Sequence, residues 1–186
     1  MDDSVRAAFA ACPRDHYLPE GEHRRSGMDQ ALPTLAGSTC SQPSTVADML
    51  GLLGVAPGQH VLDIGSGSGW TTAMLAHMTG PQGSVLGLEI DEQVMEFGRD
   101  NLARGEFPWA TIRLANPVVL GAPEDGPFDR ILVSAMARRV PHPLVDQLAE
   151  GGVMVVPVAG VMLRIARSAD GVDTTEHGFY RFVPLR

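Results

Sequence analysis

The residues whose types and spacing suggest chemistry gather in one stretch. Asp63-Ile64-Gly65-Ser66-Gly67-Ser68-Gly69 follows the apolar run 60–64 and precedes a helical pattern that begins at Trp70. Glycines at such a junction let the chain turn tightly and let a ligand approach the main chain. The start of the following helix offers free N–H groups to an anionic group of that ligand. Glu89 closes the next apolar run, 20 residues beyond Gly69, where a carboxylate can accept hydrogen bonds from both hydroxyls of a ribose. A glycine run alone is a weak sign; set between strand and helix, with an acid at the next strand end, it is informative.

Two cofactor classes share this arrangement. Dinucleotide enzymes use G-x-G-x-x-G, which leaves room for a pyrophosphate. This chain has G-x-G-x-G preceded by Asp63. A negative charge there repels a pyrophosphate but suits the ammonium and sulfonium of S-adenosyl-L-methionine. The alternative is a tight strand–helix turn with no ligand, and the coincidence of Asp63, three spaced glycines and Glu89 weighs against it. Cys12 and Cys40 make no disulfide framework, and the six histidines show no metal-ligand spacing, so no metal is expected.

The elements that must position these residues follow from periodicity. Residues 5–11 read as a short helix stopped by Pro13. Residues 12–42 look irregular, punctuated by Pro13, Pro19, Gly21, Gly27, Pro33 and Gly37. A segment that long without regular structure is usually functional. A helix then starts at Pro43, with Val46, Met49, Leu50 and Leu53 at helical spacing. Strands are predicted over 60–64, 83–90, 111–114, 128–134 and 152–158, and helices over 70–78, from an Asp91 cap to about 104, and over 141–148. Two further strands are expected near 161–168 and 178–184. Alternation of strand and helix predicts a doubly wound, Rossmann-like α/β fold with a mostly parallel sheet. A short turn near Asp170-Gly171 makes the C-terminal strands antiparallel. The chain divides into a substrate-side segment (1–42), a cofactor-binding core (43–158) and C-terminal strands (159–186), all within one domain.

Composition narrows the partners. The 186 residues suit a single domain, with 44% hydrophobic and 19% charged residues. The net charge is −8, and all 14 basic residues are arginine. Acidic domains bind nucleic-acid backbones poorly, so no nucleic-acid partner is expected. Arg24-Arg25 and Arg138-Arg139 are either solvated surface or a local patch for an anionic substrate. No apolar run approaches the ~20 residues that span a bilayer, and the N-terminus lacks the features of a secretory signal. The expectation is a cytoplasmic monomer without membrane contact.

The motifs together resemble the protein-L-isoaspartate O-methyltransferase family. Residues 61–69 look like the cofactor loop of class I methyltransferases generally. Cys12-Pro13-Arg14-Asp15-His16-Tyr17-Leu18-Pro19 is similar to the family's N-terminal "PR…F/Y-x-P" stretch. Gly37-Ser38-Thr39-Cys40-Ser41-Gln42-Pro43 resembles its "G-Q-T-I-S-x-P". Ser134 to Ala137 resembles its small-residue turn after the fourth strand. Residues 140–157 match its "P-x-x-L-x-x-Q-L-x-x-G-G-x-x-x-x-P", and 182–185 its "F-V-P-L". The resemblance runs in order over nearly the whole chain, with 37–43 and 140–157 the specific segments. It implies methylation of the α-carboxylate of isoaspartyl residues in a peptide or protein. It makes Ser41 the active-site serine and places Thr39 and Cys40 in the segment that closes over cofactor and substrate. It sets Gly65, Ser66 and Gly67 against the methionine part, and Glu89 and Ile90 against ribose and adenine. Three departures accompany it. Ser38 replaces a glutamine. Ala115-Asn116-Pro117 replaces "G-D-G", with Asn116 expected to accept from the adenine amino group through its amide oxygen. Family chains usually start earlier and continue beyond "V-P-L".

A carboxylate is already a nucleophile at neutral pH, so its methylation needs orientation and exclusion of water rather than a base. A serine hydroxyl meets that need. Ser41 also suits a helix N-cap ahead of Pro43, and the two roles are compatible. A nucleic-acid adenine methyltransferase would carry Asn/Asp-Pro-Pro-aromatic where this chain has Ser134-Ala135-Met136-Ala137. A peptide-tailoring aspartate methyltransferase, a small-molecule O-methyltransferase and a noncatalytic cofactor-binding scaffold remain as alternatives. The loop itself makes one prediction. A bulky residue at Gly67 should block S-adenosylhomocysteine, and Glu89→Ala should weaken its binding by roughly 1–3 kcal/mol through a lost charged acceptor. Parent-like calorimetry for both variants would put the cofactor site elsewhere.

Overall fold

The protein is described by a computed structural model covering residues 2–186. Asp2 accepts the Val5 N–H and starts helix α1 (Asp3–Ala11). Pro13 interrupts the chain, and two 3₁₀ turns follow (Arg14–Tyr17, Glu20–Arg25). A two-stranded antiparallel ribbon, β1 (Leu32–Pro33) and β2 (Thr39–Cys40), completes the N-terminal segment. The stretch expected to be irregular therefore has local order, but its pieces are too short to show a period.

The remainder alternates as predicted. Helix α2 (Pro43–Leu53) leads to β3 (His60–Ile64), α3 (Trp70–Thr79), β4 (Ser84–Glu89), α4 (Glu92–Ala103), β5 (Ala110–Leu114) and β6 (Phe128–Val133). One turn of helix, α5 (His142–Val145), precedes β7 (Leu148–Val158), β8 (Val161–Ser168) and β9 (Gly171–Phe179). The seven-stranded sheet has the order β5-β4-β3-β6-β7-β8-β9. It is parallel from β5 to β7 and antiparallel beyond. Ala159 and Gly160, both at positive φ (49° and 95°), join β7 to β8 in the sense of twist that tight hairpins need. Successive strand side chains serve opposite faces. Val61 joins the core under α1, α2 and α3, whereas Leu62 joins the core with Phe128, Leu144 and Met154.

Three boundaries differ from the pattern, one being β7, which begins at Leu148 rather than at 152. The helix predicted over 141–148 ends at Val145, because Leu148 already pairs with Phe128 across a bulged register. The last strand is Gly171–Phe179 rather than 178–184. Residues 181–186 leave the sheet as a strap, tied where Met136 donates to the Val183 carbonyl (2.7 Å) and accepts from the Leu185 N–H (2.9 Å).

Strand order reverses between β3 and β6, and that reversal opens a crevice at their carboxyl ends. Helix α4 backs the glycine loop main chain to main chain. A Cβ on Gly98 would lie 2.5 Å from the Gly67 carbonyl oxygen, and one on Gly69 would lie 2.7 Å from the Gly98 oxygen. Gly98→Ala should therefore destabilise the protein by about 1–3 kcal/mol and weaken S-adenosylhomocysteine binding by displacing the loop. Urea unfolding and calorimetry check both; a variant as stable as its parent would mean the contact is slack.

Candidate functional site

The crevice is a cavity of about 670 Å³, within the range of small-molecule sites. Its floor is the glycine loop. Gly65 and Ser66 donate their N–H groups to the Leu88 carbonyl (2.8 and 3.1 Å), which fixes the loop to the end of β4. Glu89 is 7% exposed and binds main chain on both sides. It accepts from Gly67 N (3.0 Å) through Oε2, and from Ile90 N (2.8 Å) and Asp91 N (3.1 Å) through Oε1. Ser66 Oγ is buried in the wall without a hydrogen-bond partner. Among the described residues no side chain caps α3, whose N-cap position is Gly69.

Thr39, Cys40, Ser41, Gly65, Ser66, Gly67, Glu89, Ile90 and Asn116 all line the cavity. Asp63 and Gly69 do not. Asp63 lies fully buried behind the loop, where Thr71 and Thr72 donate to its Oδ2 (2.8 and 2.7 Å) while Oδ1 has no partner. It is an internal support for the turn into α3 rather than a wall residue. Gly69 serves the approach of α4. Spacing identified both residues as special but could not say which side of the loop they serve.

The wall has a second part, from the N-terminal segment. Ser41 carries a half-exposed hydroxyl with no protein partner among the described residues, while its carbonyl accepts from Arg14 (2.7 Å). Ser41 does not cap α2. Asp29 does so from 15 residues away, accepting from Ser44 N (2.8 Å) and from Gln42 Nε2 (3.1 Å). The hydrogen bond from Ser44 N holds the Asp29 carboxyl below the usual range. Cys40 is buried, and burial pushes its thiol up against the lowering influence of Arg14 and Ser68, so it is no thiolate nucleophile at neutral pH.

Asn116 lines the cavity with its side-chain oxygen already in use. Its Oδ1 already accepts from Val118 N (2.8 Å) and Val119 N (3.2 Å), leaving the amide NH₂ as the donor it can offer a ligand. The oxygen expected to accept from an adenine amino group is thus already engaged by main chain. The pattern had not marked Val118 to Gly121 or the strap residues Arg181 to Arg186 as wall. They arrive through contacts distant in sequence. Glu89, Arg181 and Arg186 are the charged side chains of the wall. With Cys40 protonated, Glu89 is the carboxylate side chain of the wall, and its oxygens are engaged by the N–H groups of Gly67, Ile90 and Asp91, so the arrangement is suited to bind and orient.

The residues fit S-adenosyl-L-methionine. The glycine turn admits close approach, the orphaned Ser66 hydroxyl offers a polar contact, and Glu89 supplies an acceptor at the next strand end. The sequence model described as protein-L-isoaspartate(D-aspartate) O-methyltransferase matches residues 1–186. The protein-L-isoaspartate O-methyltransferase of Pyrococcus horikoshii is 34% identical over 189 residues, covering 98% of this chain and 84% of the relative. Protein-L-isoaspartate O-methyltransferase 1 of an Anaeromyxobacter species is 39% identical over 191 residues, covering 99% and 88%. Among solved structures, a Plasmodium falciparum protein described as a protein-L-isoaspartate O-methyltransferase, in complex with S-adenosyl-L-homocysteine, superposes with a TM-score of 0.87. Its identity is 27%, over 100% of this chain and 91% of that one.

Asp63 yields a test of the site's electrostatics. Burial raises its carboxyl from 3.8 to about 6, against the threonine hydrogen bonds and with help from the Glu89 charge. A raised carboxyl favours the fold most below pH ~4, where folded and unfolded chains are both protonated. That contribution, about 3 kcal/mol, is lost as pH rises to ~6. Asp63→Asn cannot titrate, so its stability relative to the parent should improve by that amount between pH 4 and 7. Urea unfolding of ligand-free protein at both pH values measures it; parallel profiles would show that Asp63 does not titrate in this window.

Proposed function

The chain belongs to the protein-L-isoaspartate(D-aspartate) O-methyltransferase family, and from that premise we propose how its residues methylate an isoaspartyl carboxylate in a peptide or protein. S-adenosyl-L-methionine, when bound, supplies a methyl group activated by the sulfonium. Gly65, Ser66 and Gly67 hold its methionine part through main chain, and Glu89 accepts from the ribose hydroxyls. Ile90 and Asn116 flank the adenine, with the Asn116 NH₂ directed to a ring nitrogen. Thr39, Cys40 and Ser41 form the acceptor side.

One observation carries the assignment of Ser41: a hydroxyl in the cavity wall that no group among the described residues engages, in a wall whose carboxylate side chain, Glu89, is held by main-chain N–H groups. Such a hydroxyl donates to one carboxylate oxygen and fixes the other for in-line attack. It does so without removing a proton, because the acceptor has none to lose at neutral pH. Closing the strap and the 39–41 segment around the acceptor excludes water, which would otherwise solvate the carboxylate and blunt it.

The test uses labelled cofactor with paired aspartyl and isoaspartyl peptides, followed by mild alkali. The product ester is base-labile, so label should leave as volatile methanol, and the isoaspartyl peptide should be preferred. Preference for an aspartyl side chain would favour a tailoring enzyme. Turnover of neither, with activity on a catechol, would overturn the carboxylate reading. Ser41→Ala should lower kcat roughly 10- to 100-fold while S-adenosylhomocysteine affinity holds. A variant that loses affinity but not kcat would move Ser41 to the cofactor.

A further inference from the structure

Arg14 is a buried cation without a counter-ion. It is 6% exposed, and no carboxylate pairs with it among the described residues. Its terminal nitrogens donate instead to five main-chain carbonyls. Nη1 reaches Ser26 (3.3 Å) and Met28 (3.0 Å); Nη2 reaches Gln30 (2.8 Å), Cys40 (3.0 Å) and Ser41 (2.7 Å). The guanidinium carbon lies 5.3 Å from the centre of the Trp70 ring. Trp70 opens α3 directly after the glycine loop, and its Nε1 donates to the Cys12 carbonyl (2.9 Å).

Burying a charge this way is costly unless each interaction is charge-assisted. An aliphatic side chain could fill the volume, but it could not satisfy carbonyls from two separate stretches. Those carbonyls have little other support. Residues 26–30 form no strand, and the ribbon ends at Cys40. The 26–30 stretch is in turn fastened to the residues after Ser41, through Asp29 on Gln42 and Ser44. Ser41 is thus gripped directly by Arg14 and indirectly by the stretch that Arg14 grips. The same guanidinium leans on the residue that follows the cofactor loop.

We propose that Arg14 is a positioning residue for methyl transfer, setting the Ser41 hydroxyl relative to the cofactor loop through the Ser41 carbonyl and the Trp70 ring. The proposal rests on the acceptor-binding role of Ser41 given above. Lysine at this position keeps the charge but offers one compact ammonium, which cannot span carbonyls on both sides as a planar fork does.

The experiment is a double-mutant cycle on the full chain with Arg14→Lys, Ser41→Ala and both together. It measures kcat and KM for an isoaspartyl peptide and the Kd of S-adenosylhomocysteine, below the unfolding midpoint of every variant. Arg14→Lys should lower kcat about tenfold or more and leave the Kd within about threefold. In the Ser41→Ala background it should cost less than about twofold further, because the group it positions is gone. Leu148→Ala, in the core at the far end of β7, controls for lost stability and should retain kcat. Losses that multiply across the cycle, or a kcat loss matched by an equal Kd loss, would overturn the proposal while leaving Ser41 in place. A parent-like Ser41→Ala would overturn both readings. If Arg14→Lys does not fold, Asp29→Ala serves, since that exposed side chain holds the same stretch. It should lower kcat severalfold with the Kd intact, and an unchanged kcat would overturn the proposal.

Discussion

Everything in the crevice depends on holding the main chain of residues 65–69 from behind, because its front must stay free for a ligand. The supports are all polar or steric and all come from neighbouring elements. The end of β4 takes the N–H groups of Gly65 and Ser66. Glu89 takes that of Gly67. Asn101 on α4 donates to the Ser68 carbonyl (3.0 Å), and Gly98 lets that helix come within backbone contact. Asp63 ties the two threonines that begin α3. Its three positive-φ residues are glycines, which adopt that conformation without strain but lose much conformational freedom when fixed; here the surrounding elements hold the turn. Glu89, which lines the cavity, also shapes the loop, so the cavity wall and the loop geometry cannot be altered independently.

The acceptor side is built on the opposite principle. Residues 12–42 place Cys12, Tyr17, Leu18, Leu32 and Cys40 in the core but contribute few ladder bonds, so their carbonyls need a donor from elsewhere. A single guanidinium supplies it to five of them. The glycine loop is thus fixed by many local bonds. The 26–30 stretch and Ser41 hang on fewer, and on one charge in particular. Segments with so few supports sit at the low-stability end of a protein, which suits a part that must admit and release a peptide.

The legible and illegible parts of the sequence divide along that line. Strand, glycine turn, helix and acid-ended strand follow one another within thirty residues, and each leaves a local mark: apolar runs, spaced glycines, the Asp91 cap. The doubly wound order and the antiparallel end also follow from connection lengths. The places that escaped are those set by distant partners. Asp29 caps a helix fifteen residues away, so Ser41, next to the helix start, looked like the cap. Gly69 and Asp63 belong to the loop's inner side, and only the packing of α4 and α3 reveals which side is inner. The strap 181–186 has strand-like composition but pairs with one residue, Met136, across the chain. Asn116 shows its chemical identity in the sequence but not its engaged oxygen. Arg14 lies in a stretch that resembles the family pattern, yet nothing local says that an arginine will be buried on carbonyls.

The separation of charge and donor roles bears on how an anionic nucleophile is kept reactive. A guanidinium facing the acceptor would hold a carboxylate firmly, but it would also neutralise the electron density that has to attack the methyl group. Here the buried cation Arg14 is committed to carbonyl oxygens, and Ser41 presents a neutral hydroxyl to a cavity whose wall also includes Arg181 and Arg186 from the strap. A neutral donor orients with a weaker hydrogen bond than a charged one, so it lowers nucleophilicity less. The charge of Arg14 is therefore used to build the wall rather than to bind through it. Positioning without quenching follows from placing the cation one layer behind the donor, and that layering needs a residue able to reach two stretches of main chain at once.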